Sequence, residues 1–182
     1  LFPYKAIINV KGHESISAEL GAVLANSKIR KLTLVDCEQL RDVSELAGAT
    51  KLLRLWIPWC RNLVSVEGLG ALKSLQRLEL SGAWYLKDFS PLKDLKRLRE
   101  LDLTESRLEH CKGLRSLIHL KELNLVMCRS LESLEGVETM ESLTSISLND
   151  CDVLRNVSGL SALTKLKTLR LVDADWLDVL PE

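Results

Sequence analysis

Residues 120–128 read Leu-Lys-Glu-Leu-Asn-Leu-Val-Met-Cys, a leucine pattern that recurs along most of the chain. Its leucines stand at the first, fourth and sixth places, and the last two would lie on one face of a strand because they are two residues apart. The same spacing recurs in segments that begin at residues 29, 52, 75, 98, 120, 143 and 166, 22 or 23 residues apart. Six full units and one truncated unit at such a constant period indicate a repeat protein.

Each unit keeps apolar residues at unit positions 1, 4, 6, 12, 15, 18 and 21. In the second unit these residues are Leu52, Leu55, Ile57, Leu63, Val66, Leu69 and Leu72. This recurrence of seven apolar positions per unit explains why 40 of the 182 residues are leucine. No unit can bury such a stripe alone, so neighbouring units must stack. The later positions are spaced by three, which suits a short 3₁₀ turn.

The pattern resembles the leucine-rich repeat family, whose L-x-x-L-x-L-x-x-(N/C) segment matches residues 120–128. The resemblance extends from residue 29 to residue 180. It implies an α/β fold class: a right-handed solenoid, shaped as an arc, with a parallel β-sheet on its concave face. It also implies 3₁₀ or loose helical returns on the convex face.

The two ends of the chain differ from the repeats. Residues 1–28 are predicted to form an atypical N-terminal unit or cap, with a strand near residues 7–10 and one amphipathic helix within residues 15–27. Ser15 is the predicted N-cap of this helix, because a serine hydroxyl accepts a bond from the first helical turn. Residues 29–182 form the repeats, and residues 176–182 stop partway through a unit. Either the chain continues beyond this point or that edge packs on a partner.

Composition argues against several functions. The chain carries 25 basic and 25 acidic residues, so no net field attracts nucleic acid or an anionic membrane. No apolar run approaches the roughly 18 residues of a membrane span, so we expect no membrane insertion. The three histidines, His13, His110 and His119, have no metal-ligand spacing, and no phosphate-binding or nucleophile motif occurs. We therefore predict no enzyme activity, no cofactor and no metal.

Four of the five cysteines share unit position 9. In the leucine-rich repeat family this position takes Asn or Cys, whose side chain bonds backbone groups of neighbouring coils. The resemblance therefore implies a structural ladder of Cys37, Cys60, Ser106, Cys128 and Cys151. The alternative is that adjacent cysteines form redox switches or a zinc site. Cys111 falls on an inward core position. Five buried, unpaired thiols favour a reducing compartment, and we predict the cytoplasm.

The candidate partner-binding residues lie on outward positions. Positions 5 and 8 should line the concave face, and they hold Trp56, Trp59, Glu79, Asp102, Asn124 and Met127. The ascending loops add Trp84, Tyr85 and Trp176. Exposed tryptophan is enriched at binding hot spots, so we predict that a protein or peptide binds here, with Trp56 and Trp59 as anchors. The alternative is that some of these rings fold flat over neighbouring coils.

The two carboxylates beside Trp56 favour a basic segment of the partner, because an indole face attracts a cation. The opposing observation is a flanking set of arginines, Arg54, Arg77 and Arg99, which could neutralise those acids as cross-strand pairs. A second basic set on the convex segments suggests nucleic-acid binding: Lys73, Lys93, Lys96, Arg97 and Arg115. Acidic neighbours dilute this convex set, so we predict no nucleic-acid partner.

Several functional classes remain open. Cysteine at the ladder position resembles intracellular sensor and regulatory repeat proteins, including immune-receptor repeat domains, ubiquitin-ligase adaptors and protozoan proteins proposed to regulate adenylate cyclase. The chain would then be a regulatory or adaptor module. Residues 88–92, Asp-Phe-Ser-Pro-Leu, resemble the D-I-x-P-L of internalin-type adhesins, which implies a secreted or surface location. A third possibility is a structural spacer or oligomerisation solenoid that associates end to end.

Overall fold

The computed structural model describes residues 4–172, and these residues form one sheet of eight parallel strands in sequence order. The strands are β1 Lys5–Asn9, β2 Lys31–Val35, β3 Arg54–Trp56, β4 Arg77–Glu79, β5 Glu100–Asp102, β6 Glu122–Asn124, β7 Ser145–Ser147 and β8 Thr168–Arg170. Each strand pairs only with the strands before and after it in the chain. This topology is that of a solenoid, in which each coil contacts its neighbours.

Short 3₁₀ turns carry the chain back from one strand to the next, because apolar residues three apart share one side of such a turn. They span Cys37–Gln39, Ser44–Gly48, Leu69–Ala71, Ser90–Asp94, Lys112–Leu114, Val137–Thr139 and Ser158–Ala162. The sheet lines the concave face and most of these turns form the convex face of a right-handed solenoid. The predicted fold class is therefore confirmed.

The core is a stack of inward-facing side chains between the sheet and the turns. The position-4 residues pair in register across the sheet, and from β2 to β7 all are at most 2% exposed: Leu32, Leu55, Leu78, Leu101, Leu123 and Ile146. Each fully buried aliphatic side chain contributes about 1.5–3 kcal/mol of transfer free energy. Because the register is exact from coil to coil, the residue that follows each of these points outward to the concave face.

The N-terminal residues extend the same layers. β1 pairs with β2, and the helix α1, Ala18–Asn26, packs against the turn Ser44–Gly48. The helix approaches closely because Gly21 has no side chain: a Cβ there would lie 2.7 Å from the carbonyl oxygen of Glu45. Thus α1 occupies the convex layer beside the first 3₁₀ returns.

The predicted N-cap is wrong by two residues. Ser17, not Ser15, caps α1, and its Oγ accepts a bond from the Leu20 amide at 3.2 Å. Ile16, which lies between the two serines, is buried in the core, and Ser15 forms a parallel bridge with Asp42. The division into a cap (1–28) and repeats (29–182) stays a prediction, and the last unit is described only as far as residue 172.

Candidate protein-interaction surface

The strands bring the position-5 residues into one outward row. Pairing in register places Thr33, Trp56, Glu79, Asp102, Asn124, Ser147 and Arg170 on successive strands, and Ile7 of β1 extends the row. Neighbouring members are about 4.8 Å apart along the sheet. Four predicted binding residues, Trp56, Glu79, Asp102 and Asn124, are therefore direct neighbours on the concave face.

A second outward row runs beside it at position 3. On the first four strands this row is basic throughout: Lys5, Lys31, Arg54 and Arg77, paired in that order. The next two members are Glu100 and Glu122. The concave face therefore has a basic half around Trp56 and an acidic centre over β4–β6. From the sequence, Arg54 and Arg77 are expected only as counter-charges to the acids at position 5, whereas comparing position 3 across all the units reveals this division.

Two carboxylates of the acidic centre, those of Glu79 and Glu100, pair with Arg77. Arg77 Nε lies 2.6 Å from Glu79 Oε1, and its NH1 lies 2.7 Å from a carboxylate oxygen of Glu100. Burial alone would lower the pKa of Arg77, but the hydrogen bond and charge of Glu79 raise it overall. The predicted neutralisation by arginine therefore occurs at Arg77. Arg99 instead donates to backbone carbonyl oxygens, such as that of His119 at 3.1 Å.

Asp102 and Asn124 are fixed by hydrogen bonds. One Asp102 carboxylate oxygen accepts the Thr104 amide at 2.8 Å, and the other accepts the Asn124 side-chain amide at 2.9 Å. The Asn124 oxygen in turn accepts the Val126 amide at 3.2 Å. These bonds hold both side chains in one orientation on the sheet.

Position 8, at the end of each strand, is left-handed in every coil that the structure describes from β2 to β7. The φ angles lie between 55° and 70° at Asp36, Trp59, Gly82, Glu105, Met127 and Asp150. Glycine, asparagine and aspartate tolerate this conformation best, so Gly82 and the two aspartates at this position were a signal that sequence reasoning missed. A bulky residue there is an outlier, and Trp59 is the bulkiest of the set.

Both concave tryptophans are exposed. Trp56 is 45% and Trp59 51% accessible, although both belong to the most costly class of side chain to leave in water. Met127, at the same position as Trp59 three coils later, is 38% accessible. The Trp59 ring reaches over the next coil, where a Cβ at Gly82 would lie 3.8 Å from it.

The ascending loops carry a stack of aromatic and guanidinium groups. The guanidinium carbon of Arg61 lies 4.8 Å from the centre of the Trp84 ring and 5.9 Å from that of Trp59. Arg107 lies over Trp84 at 5.3 Å. Trp84 is half-buried in this stack, which agrees with the alternative that some of these rings fold over neighbouring coils. Tyr85 is exposed. Trp176 lies outside the described residues.

The position-9 thiols point inward under the strand ends. Cys60 Sγ donates to the Ser81 carbonyl oxygen at 3.4 Å, and Cys151 Sγ to that of Leu125 at 3.2 Å. Cys128 donates to the Leu103 carbonyl oxygen at 3.3 Å and lies 3.4 Å from Ser106 Oγ. All five cysteines, Cys37 and Cys111 included, are buried and free.

Burial makes these thiols weak acids. Loss of hydration raises the pKa of Cys37, Cys60 and Cys151 from 9.0 to about 12, and that of Cys128 to about 11. The thiolate is the form that attacks electrophiles and binds metals, and these raised pKa values disfavour it at neutral pH. Within residues 4–172 no group of three or more His, Cys, Asp or Glu side chains could hold a metal ion.

The convex basic residues are partly neutralised. Lys73 Nζ lies 3.0 Å from an Asp94 carboxylate oxygen, which lowers the pKa of Asp94. Lys112 lies 3.0 Å from Glu135 on the same side of the molecule. In the described part of the chain, no helix is long and apolar enough to cross a membrane.

This architecture is the leucine-rich repeat fold, and solved structures of repeat proteins match it. No family model and no curated protein matches the sequence. Internalin C2 from Listeria monocytogenes is similar, with a TM-score of 0.70 and 23% identity over 91% of this chain and 71% of that one. The repeat domain of the type III effector XopL has a TM-score of 0.63 and 18% identity, over 98% and 73% of the two chains.

A leucine-rich repeat protein from Leptospira interrogans also matches, with a TM-score of 0.54 and 19% identity over 86% of this chain and 46% of that one. Sequence identities this low support the fold alone. What this chain binds must be argued from its own surface.

Proposed function

We propose that this protein is a non-catalytic interaction module that binds a protein or peptide on its concave face and serves as an adaptor or regulator. The observation that carries the proposal is the pair of exposed indoles at Trp56 and Trp59, on and just beyond β3. Exposed tryptophans three residues apart on a sheet of fixed geometry provide a large contact area with little loss of side-chain entropy on binding.

Backbone conformation supports the same surface. A tryptophan at φ 55° costs about 1–2 kcal/mol relative to an ordinary strand conformation. Gly82 occupies the same position in the next coil, so the fold accepts a residue without this cost. Strain retained at an exposed, bulky side chain favours a binding role for Trp59 over a purely structural one.

The acidic centre favours a basic segment in the partner. Glu79, Glu100, Asp102 and Glu122 face the solvent across β4–β6, and Arg77 supplies the counter-charge to two of them. Asp102 has only neutral hydrogen-bond partners in the described structure, so its charge is available to a ligand. A partner lysine or arginine there would form a charge-assisted hydrogen bond.

The charge preference is tested by reversing one carboxylate. Asp102→Lys should weaken partner binding at low salt by about tenfold, since one charge-assisted bond contributes roughly 1.4 kcal/mol or more. Glu132→Lys, on an exposed outer loop, is the matched control and should leave the dissociation constant nearly unchanged. Equal effects of the two substitutions, or tighter binding by the Asp102 variant, would contradict a basic ligand.

Partner binding itself is tested by comparing two double variants. Affinity capture with the wild-type chain identifies candidate partners, and each is then purified and titrated against the chain. Trp56→Ala/Trp59→Ala should raise the dissociation constant at least tenfold, as hot-spot truncations do. Val64→Ala/Ile118→Ala removes side chains that are 45% and 42% exposed elsewhere and serves as the control. A partner that binds both variants equally well does not use the concave face.

For the compartment we propose the cytoplasm, because five buried thiols without a disulfide suit a reducing environment. A secreted or surface location, as the residue 88–92 resemblance implies, is the alternative. Expression of the chain with and without an export signal distinguishes them. We expect the exported form to yield less folded protein, whereas equal yields with free thiols would remove this argument.

End-to-end association is a second candidate function. Leu169 of β8 is 43% exposed, whereas its register partner Ile146 is fully buried. This apolar position at the last described strand suits stacking on another solenoid. Light scattering over a concentration series should show a rise in mass, which Leu169→Lys should abolish. A monomer at all concentrations would rule it out.

A further inference from the structure

We propose that Arg61, Trp84 and Arg107 form a binding site for an acidic peptide segment on the ascending edge of the solenoid. The three residues share unit position 10 in three successive coils. Their stack places one guanidinium at 4.8 Å and the other at 5.3 Å from the Trp84 ring centre. Arg61 and Arg107 come from the coils before and after that of Trp84, so the indole is held between two cations.

The charges of this stack are unbalanced. Among residues 4–172, neither Arg61 nor Arg107 forms an ion pair with a carboxylate, and both side chains are exposed. Stacking on an indole uses the flat face of a guanidinium and leaves its N–H groups at the edge free to donate. Two such edges, fixed in orientation by one ring, suit bidentate hydrogen bonds to carboxylates.

A cleft beside the stack offers room for a segment of chain. Its volume is about 490 Å³, and its walls include Trp84, Arg107, Met127 and Arg129, whereas Arg61 lies outside them, beside Trp84. Glu105 is the one carboxylate among its lining residues. Arg129 lies 3.8 Å from Asp152, both groups being mostly exposed, so this pair can open to another anion at little cost. Met127 adds an apolar contact for the stem of a glutamate side chain.

The same geometry disfavours nucleic acid. A base would need an open indole face, and arginine lies over Trp84 from each adjacent coil. The row is also short: Glu38 and Asp152 occupy position 10 at its two ends, so a long polyanion would meet like charge. A short acidic segment fits between Glu38 and Asp152, where it meets only the residues of the stack and Arg129 along this row.

The site is independent of the ligand proposed for the concave face, so it is tested with a simple probe. Uniformly ¹⁵N-labelled protein is titrated with an N-acetylated, C-amidated tetraglutamate peptide at low salt, and the Trp84 indole N–H signal is followed by NMR. We expect a saturable shift of this signal, and of that of Trp59, while the Trp56 signal stays in place. Tetraglutamine, which has the same length without charge, should cause no saturable shift.

Two arginine variants test the assignment. Arg61→Gln and Arg107→Gln should each weaken the binding of tetraglutamate by about fivefold, which corresponds to one exposed charge pair. Arg97→Gln makes the same charge change on the exposed convex side and should have no effect. Circular dichroism of each variant should match the wild type, because both side chains lie at the surface.

Several outcomes would overturn the proposal. These are no saturable shift at Trp84, an equal response to tetraglutamine, or an equal loss of affinity in the Arg97 variant. A last titration uses inorganic phosphate at matched ionic strength in place of the peptide. If phosphate saturates the site at a lower concentration than the peptide does, the stack is a phosphate site and the assignment to carboxylates is wrong. None of these outcomes depends on a partner at the concave face, and the Arg61→Gln and Arg107→Gln variants leave Trp56 and Trp59 in place, so the two proposals fail separately.

Discussion

The two faces of each strand behave differently along the solenoid. The inward residue at unit position 4 is leucine in β2 through β6 and isoleucine in β7, and it is buried in each of these strands. The outward residue that follows it changes at every step, from Thr33 through Trp56, Glu79 and Asp102 to Asn124 and Ser147. The constant face determines how the coils stack, so the residues of the varying face can change without disturbing that stack. Two adjacent residues of one strand therefore have different constraints, because one packs in the core and the other faces solvent.

The largest expected effect separates the two faces of β4. Leu78→Ala removes a fully buried side chain from a packed stack and should destabilise the fold by about 2–5 kcal/mol. Glu79→Ala, one residue later, removes a solvent-facing group and should cost no more than about 1 kcal/mol. Urea unfolding followed by circular dichroism measures both. Similar losses for the two variants would contradict the division between faces.

The constant face could be predicted from the sequence because it repeats. Seven apolar positions at a fixed period predict stacked units with short 3₁₀ turns, and the resemblance to the leucine-rich repeat family implies the parallel sheet. The varying face could not be predicted as fully, because its contacts cross between coils. The pairing of Arg77 with Glu100, and the stack of Arg61 on Trp84, depend on side-chain conformations that no single unit specifies.

Local competition also limited the predictions. Ser15 and Ser17 are both acceptable helix caps, and burial of Ile16 between them selects the second. The left-handed backbone at Trp59 runs against the preference of tryptophan itself. The turn that follows the strand in each coil imposes this left-handed conformation. Aligning the units at position 8, where the next coil has Gly82, would have suggested it.

The next effect concerns the thiols of the inward face. Because burial raises the pKa of Cys60 from 9.0 to about 12, this thiol is protonated in the folded chain while it ionises in the unfolded chain above pH 9. Stability is therefore full below pH 9 and falls as the pH rises, by about 1.4 kcal/mol per thiol at pH 10. In Cys60→Ala, the free energy of unfolding should therefore fall by about 1.4 kcal/mol less between pH 7 and pH 10 than it does in the wild type.

The alanine variant is conservative because Ala83 occupies the same position in the next coil. Val66→Ala, another buried truncation, is the control and should lower the free energy of unfolding equally at both pH values. If the Cys60 variant loses as much stability at pH 10 as the wild type does, the thiol is not the titrating group.

A smaller effect tests the strain at the end of β3. Trp59→Gly should be more stable than Trp59→Ala by about 1 kcal/mol, because glycine adopts positive φ without steric cost. At Trp56, which has ordinary strand geometry, the order should reverse, since glycine weakens a strand. Thermal or urea unfolding of the four variants provides the comparison. If Trp59→Ala is at least as stable as Trp59→Gly, Trp59 carries no strain.

We propose that the partner contacts the varying face around Trp56 and Trp59. Hydroxyl-radical footprinting of the chain, free and bound to a purified partner, tests it most directly by mass spectrometry. We predict that Trp56, Trp59 and Met127 lose most of their oxidation on binding, whereas Val64 and Ile118 keep theirs. Protection of Val64 and Ile118 with the concave tryptophans still oxidised would contradict the account.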